Sequence, residues 1–328
     1  MPIVCTGSVA YDYLMSFPGF FREHILPEHL EKISLSFLVD TMIKQRGGVA
    51  PNIAYTLALL GDRPMVMATV GEDFADYRIW MDEHGIDTHL IKEIEGKFTA
   101  SFFVNTDLSN AQIASFYTGA MANASELSLA EFEHRHPDLV IISPNDPGAM
   151  DKYVIECQKM GLRYLYDPSQ QVVRNTPEQL RRGVEGAYSL FVNEYEYELL
   201  QKHTGMSASD IQKRVSLVVV TLGEKGSRII SEGREILVPV FKPEAILDPT
   251  GVGDAFRGGF LRGWNLGLDL RICGEMGALA ATYCLEQRGT QAHHYTSDEF
   301  IRRYRTVFND QGALDVLRES IRIGGING

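Results

Sequence analysis

The sequence predicts an α/β fold, doubly wound about a mostly parallel sheet, with a small β-rich lid. Short apolar runs alternate with helix-patterned segments along the 328 residues. Several runs are apolar on both faces, which a parallel sheet covered by helices requires. Most of them stop at small or polar residues, and open α/β sheets bind ligands beyond the carboxyl ends of their strands.

Taken in order, the first run spans residues 3–6 and is followed by Gly7, Ser8 and Asp12. Residues 34–39 form an extended stretch that comes too early for the second core strand, and it is assigned to the lid. Arg46-Gly47-Gly48-Val49-Ala50-Pro51-Asn52 then leads into a helical pattern that closes at Gly61. Pro51 suits a first helical turn, and Ile53, Leu57 and Leu60 line one apolar stripe. Gly47 and Gly48 let backbone approach a ligand closely, and Asn52 offers both a donor and an acceptor. An ordinary glycine turn before an amphipathic helix would give the same pattern. Residues 65–68 form the next core strand, and residues 97–105 with 112–117 read as a hairpin. The hairpin completes the lid, whose segments fall at about 13–46 and 97–119 inside a single domain spanning 1–328. A lid excludes water from a transferring group.

Four more strand-like runs follow, at residues 139–142, 164–166, 190–192 and 217–220. They end respectively at Ser143 to Asp146, at Asp167-Pro168-Ser169-Gln170-Gln171, at Asn193 to Glu196, and at Thr221-Leu222-Gly223. Any one of these ends could be a simple cap or turn. Their repetition at successive strand ends points to a binding site.

The most specific stretch is Asp248-Pro249-Thr250-Gly251-Val252-Gly253-Asp254, downstream of an extended segment at 236–241 and leading into a helix. The first amides of a helix have no intrahelical partner and together attract an anion. Here a carboxylate, Asp254, occupies the same turn. A fixed carboxylate beside an anion hole fits a general base next to a phosphoryl group in transit. A dinucleotide fingerprint fails, since Phe256 stands at its third glycine, and no P-loop motif occurs. Gly258, Gly259 and Gly263 inside the helix suggest close packing on sheet or nucleotide, or simple tolerance. Arg257 reads as a phosphate contact or as half of a structural salt bridge.

Composition narrows the function. A net charge of −12 argues against nucleic-acid binding, which relies on basic side chains. Charged residues at 23% and hydrophobic residues at 45% suit a globular enzyme. Cys5, Cys157, Cys273 and Cys284 lack metal-site spacing and read as buried thiols of a reducing compartment. No basic leader precedes the first strand and no apolar run could span a membrane, so a cytoplasmic location is expected. His134, His136, His293 and His294 read as surface loop residues.

Gly47-Gly48…Asn52, Asn193-x-x-Glu196, Thr221-Leu222-Gly223-x-x-Gly226 and Asp248…Thr250-Gly251-Val252-Gly253-Asp254 together resemble the ribokinase-like, or PfkB, family of carbohydrate and nucleoside kinases. Thr6-Gly7-Ser8…Asp12, residues 35–40, residues 46–50, residues 111–117 and Asp167-Pro168-Ser169-Gln170-Gln171 narrow the resemblance to bacterial adenosine kinases of actinobacterial type. That resemblance implies transfer of phosphate from ATP, with Mg²⁺, to the 5′-hydroxyl of adenosine, giving AMP. A sugar or another nucleoside is the alternative acceptor on the same fold.

The resemblance also implies roles. Asp254 would be the base, and Gly251, Val252 and Gly253 with Asp254 would form the anion hole. Ser8, Asp12, Ser36, Gly48 and Asn52 would hold the nucleoside, and Gln170 and Gln171 would reach its base. Phe102 and Phe116 would sandwich the purine, with lid core as their other reading. Asn193, Thr221, Gly223 and Gly226 would line the ATP site. Glu196 and Asn193 would serve Mg²⁺ mainly through water, and Asp248, Thr250 and Gly289 would border a K⁺ site. A homodimer formed through the lid is implied, with no nucleic-acid or membrane partner. Pro249 and Val252 depart from threonine and alanine of many relatives, and Val49 replaces the lysine frequent in ribose kinases.

Overall fold

The computed structural model describes residues 2–25, 34–132 and 137–318. In chain order the elements are β1 (Ile3–Thr6), β2 (Ala10–Ser16), β3 (Thr41–Gly47), α1 (Val49–Leu59), β4 (Met65–Val70), α2 (Ala75–Glu83), β5 (Ile91–Glu93), β6 (Ala100–Thr106) and β7 (Gln112–Tyr117). There follow β8 (Leu139–Ile142), α3 (Pro147–Met160), β9 (Tyr164–Tyr166), α4 (Pro177–Val184), β10 (Ser189–Asn193), α5 (Glu194–Thr204), α6 (Ala208–Arg214) and β11 (Leu217–Thr221). The chain closes through β12 (Ser227–Ser231), β13 (Arg234–Val238), α7 (Val252–Asn265), α8 (Leu270–Leu285) and α9 (Ser297–Tyr304).

Nine strands form one sheet in the order β13-β12-β11-β10-β9-β8-β1-β4-β5. It is parallel from β11 to β5, with β12 and β13 antiparallel at one edge. This is the doubly wound, mostly parallel α/β arrangement that the sequence predicts. The double-sided apolar runs behave as expected: β1, β8 and β9 are buried along their whole length. Alternate residues of one strand join different cores. Val4 and Val140 pack with Tyr153 and Tyr166 on one face, while Ile3 and Ile141 pack with Ile53 and Phe260 on the other. All four cysteines are free and buried. Among the described residues no helix is long and apolar enough to cross a membrane.

A second sheet of four strands, in the order β3-β2-β6-β7, joins β2 and β3 to the expected hairpin of β6 and β7. Two local expectations are corrected. Residues 34–39 form no strand; Phe37 instead packs edge-on against Phe17 and Phe21, and pairing begins at β3. The segment read as extended over 236–241 is strand only as far as Val238, where β13 ends. Pro239 has no amide to continue the ladder.

Candidate active site

Because the strands from β4 to β11 run the same way, their carboxyl ends share one edge. Polar groups meet there. The Ser8 amide donates to the Pro144 carbonyl at 2.8 Å, tying the end of β1 to the end of β8. Ser143 Oγ donates to Asp167 Oδ2 at 3.1 Å, and Ser169 Oγ to Glu196 Oε1 at 3.3 Å. The strand-end groups read from the sequence therefore form one connected rim.

The floor of the site is the start of α7. Gly251 caps it with φ of 76°, a left-handed conformation, and a Cβ there would lie 2.8 Å from Thr290 Cβ. Glycine is required on both counts. The helical ladder begins with Ala255 N donating to Gly251 O at 2.9 Å. The amides of Val252, Gly253 and Asp254 precede it and have no intrahelical partner.

The helix is held by close packing on both sides. A Cβ at Gly258 would sit 2.5 Å from Thr56 Cβ on α1, and one at Gly259 2.7 Å from the Met276 carbonyl on α8. A Cβ at Gly263 would meet Met276 Sδ at 2.9 Å. These glycines thus serve helix-on-helix contact, not contact with sheet or nucleotide.

That packing brings α1 to Asp254. Asn52, only 4% exposed, donates from Nδ2 to Asp254 Oδ2 at 2.8 Å. Arg257, one turn along, is also buried. It bonds Asp167 Oδ1 through Nη2 at 2.5 Å and the Gly253 carbonyl through Nη1 at 2.9 Å. Of its two readings, the salt bridge is the one the structure contains. Burial pushes the Asp254 carboxyl up to about 7, and nearby Asp167 and Glu196 add to this, against Arg257 and the Asn52 hydrogen bond. A carboxylate tuned near neutrality can both take and release a proton under working conditions.

The four-stranded sheet supplies the opposite wall. Register places Gln45, Asp12, Phe102 and Phe116 in one cross-strand row, so all four share a face. This face turns toward the site, because a Cβ at Gly289 would touch Gln45 at 3.1 Å. Burial and the negative charge of Asp248 push the Asp12 carboxyl up to about 6. Phe102 is half-buried and Phe116 is 49% exposed. Phe102 and Phe116 stand directly opposite one another on adjacent strands, so both side chains leave the sheet on this face.

The remaining expected residues fall at varied distances from this centre. Ser8 Oγ accepts from the Val49 amide at 3.3 Å and so caps α1. Gly48 has φ of 97°, and a Cβ there would lie 2.4 Å from the Ser8 carbonyl. Ser36 is exposed in the irregular stretch before β3. Gln170 is exposed, but Gln171 is not: it is 4% exposed and donates from Nε2 to the Asn145 carbonyl at 2.6 Å. Gln171 is a buried brace between strand ends, which corrects its expected reach to a base. Thr221 closes β11, and Gly223 and Gly226 have φ of 59° and 92°. A Cβ at Gly226 would collide with the Val238 carbonyl at 2.0 Å.

Asn193 and Glu196 form a reciprocal cap of α5: Oδ1 of Asn193 accepts from the Glu196 amide, and Oε2 of Glu196 from the Asn193 amide, both at 2.8 Å. Both Glu196 oxygens are thus engaged, with Ser169 on the second. Among the described residues, no three His, Cys, Asp or Glu side chains are grouped to hold a metal. Asp248 accepts from the Thr250 amide at 2.9 Å and the Gly289 amide at 3.0 Å, joining the two segments expected to border a monovalent cation.

Two residues went unflagged in the sequence. Gln291 and Tyr77 stand behind Asn52, with Gln291 Nε2 2.7 Å from Asn52 Oδ1 and 2.6 Å from the Tyr77 hydroxyl. Only the nearness of Gln291 to Gly289 could have drawn attention to it. His293 was misread: it is 1% exposed, and Thr56 Oγ1 lies 3.3 Å from its Nε2. His134 and His136 lie outside the described residues.

Residues 6–296 match the pfkB family carbohydrate kinase model. The nucleoside kinase of Methanocaldococcus jannaschii is 30% identical over 306 residues, covering 92% of this chain and 96% of that protein. The Burkholderia thailandensis nucleoside kinase in complex with inosine is 35% identical, with a TM-score of 0.82 and coverage of 94% of this chain and 98% of that one. The same enzyme in complex with ADP-inosine gives 36% identity and a TM-score of 0.81, over 94% and 96% of the two chains.

Proposed function

Since this chain belongs to the pfkB family of carbohydrate kinases, we propose that it is an ATP-dependent nucleoside kinase that phosphorylates the 5′-hydroxyl of adenosine to give AMP. One observation carries the reading. Asp254 lies in the first turn of α7 beside unpartnered amides, is bonded by Asn52, and has a carboxyl pushed up to about 7.

In the proposed reaction Asp254 takes the proton of the 5′-hydroxyl as its oxygen bonds to the γ-phosphorus of ATP. The bond from that phosphorus to the bridging oxygen breaks, and ADP leaves with the electron pair. Amides of Val252, Gly253 and Asp254 stabilise the negative charge that gathers on the transferring group. Arg257, fastened to Asp167, holds the Gly253 carbonyl and so the shape of this turn. Magnesium, bound with ATP, would neutralise phosphate charge, with Glu196 and Asn193 holding its waters. Thr221, Gly223 and Gly226 would border the adenine of ATP. Asp12 and Asn52 would take the ribose hydroxyls, and Phe102 and Phe116 would stack against the acceptor base.

The four-stranded sheet would act as the lid. Its exposed Met42 and Ile113, with β7 exposed throughout, suit a homodimer through this sheet, which sedimentation would detect.

Inosine is the second reading, supported by the inosine complex of the Burkholderia thailandensis relative. An ADP-release assay over adenosine, inosine, guanosine, cytidine, ribose and fructose separates these. The expected order puts adenosine first. Preference for inosine would move the assignment to the second reading, and preference for a free sugar would overturn both.

A further inference from the structure

The contacts behind Asn52 form a directional chain. Tyr77 is fully buried, and its hydroxyl donates its single proton to the Gly47 carbonyl at 3.0 Å. Tyr77 can then only accept from Gln291, which must turn its NH₂ group, not its carbonyl, toward that hydroxyl. The same NH₂ group reaches Asn52 Oδ1. Asn52 is left with its own NH₂ group directed at Asp254. Every step follows from the main-chain carbonyl at the head of the chain. The Gln291 carbonyl oxygen is buried without a partner, so this orientation is held at the expense of an unsatisfied acceptor.

We propose that Gln291, supported by Tyr77, is a positioning residue for phosphoryl transfer, fixing the Asn52 amide so that its NH₂ group faces Asp254. The inference rests on the assignment of Asp254 as the base. An amide turned the other way would set its carbonyl oxygen against the carboxylate, which would then have to keep a proton to avoid repulsion. A protonated Asp254 cannot accept one from the acceptor hydroxyl. Gln291 thus acts through Asn52 on the ionisation of the base and need not touch either substrate. The other charged groups that face Asp254 are Arg257 on its own helix, Asp167 after β9 and Glu196 on α5; none is altered by changing Gln291.

The test is the pH profile of kcat in Gln291→Met, which keeps length and adds no charge, and in Tyr77→Phe. The acid limb should move up by about one pH unit in Gln291→Met, lowering kcat about five-fold at pH 7 and restoring it at higher pH. Tyr77→Phe should shift the limb in the same direction by less, and KM for ATP should stay unchanged in both. In an Asn52→Ala background, Gln291→Met should leave the limb where Asn52→Ala alone puts it. A fall in kcat by one factor at every pH, with the limb unmoved, would overturn the inference and leave Gln291 a structural role. A limb shift that persists in the Asn52→Ala background would overturn the route through Asn52. Wild-type turnover in Asp254→Asn would overturn the base assignment itself, and this inference with it.

Discussion

The two walls of the site are built to different standards. The α7 wall is fixed from every side: Gly258 and Gly259 bring α1 and α8 to backbone distance, and Arg257 is locked between Asp167 and the Gly253 carbonyl. The four-stranded sheet is open. β7 is exposed along its whole length, and Met42, Ile43 and Phe116 present large apolar surface to solvent. The contrast separates two tasks. Phosphoryl transfer needs charge placed within tenths of an ångström. Selecting and covering an acceptor needs apolar surface on an element that can give way.

Changes in the two walls should therefore fail differently. The largest effect is expected from Asp254→Asn, which should reduce kcat by about 10²–10⁴-fold, as loss of a general base does, while calorimetry still detects nucleoside binding. Arg257→Ala should follow. It leaves Asp167 buried and unpaired, and urea unfolding should show a loss of about 3–5 kcal/mol. Phe116→Ala should spare stability and kcat but weaken acceptor binding by about 1–3 kcal/mol, read as a rise in nucleoside KM. Equal loss of stability in Phe116→Ala and Arg257→Ala would erase the distinction.

The smallest expected change concerns pH. Folded Asp254 titrates near 7, above its ordinary value of 3.8, so the native state holds that proton more tightly than the unfolded chain. The carboxyl therefore contributes stability below pH 4 that is lost as pH rises to about 7. Asp12, pushed up to about 6, contributes with the same sign over a narrower range. Thermal unfolding between pH 4 and 7 should slope less in Asp254→Asn than in the parent protein.

The α7 wall was the more legible of the two. Its glycines and carboxylate are contiguous, and a helix start after glycine has a fixed chemistry. The double-sided apolar runs likewise became parallel strands because burial on both faces leaves a local mark. The sheet wall was harder. Residues 34–39 look β-forming, yet Phe37 finds an aromatic cluster and the strand begins at Thr41. Phe102 and Phe116 were found, but that they stand opposite one another on adjacent strands depends on register, which spacing does not encode. Gln171, His293 and Gln291 show the same limit. Each is defined by a partner far along the chain, at Asn145, Thr56 and Asn52 respectively.

Gly47 and Gly48 bear on how this chain can change length. β3 ends at Gly47, α1 starts at Val49, and Asn52 bonds Asp254 from the first turn of that helix. One residue inserted between Gly48 and Asn52 would turn the asparagine by about 100° around the helix and carry it away from Asp254. At the Glu232–Gly233 turn between β12 and β13, where a Cβ on Gly233 meets nothing within 4 Å, the same insertion would lengthen only an exposed loop. Tolerance to insertion should therefore be lowest at the junction of the two walls and recover toward the far edge of the large sheet.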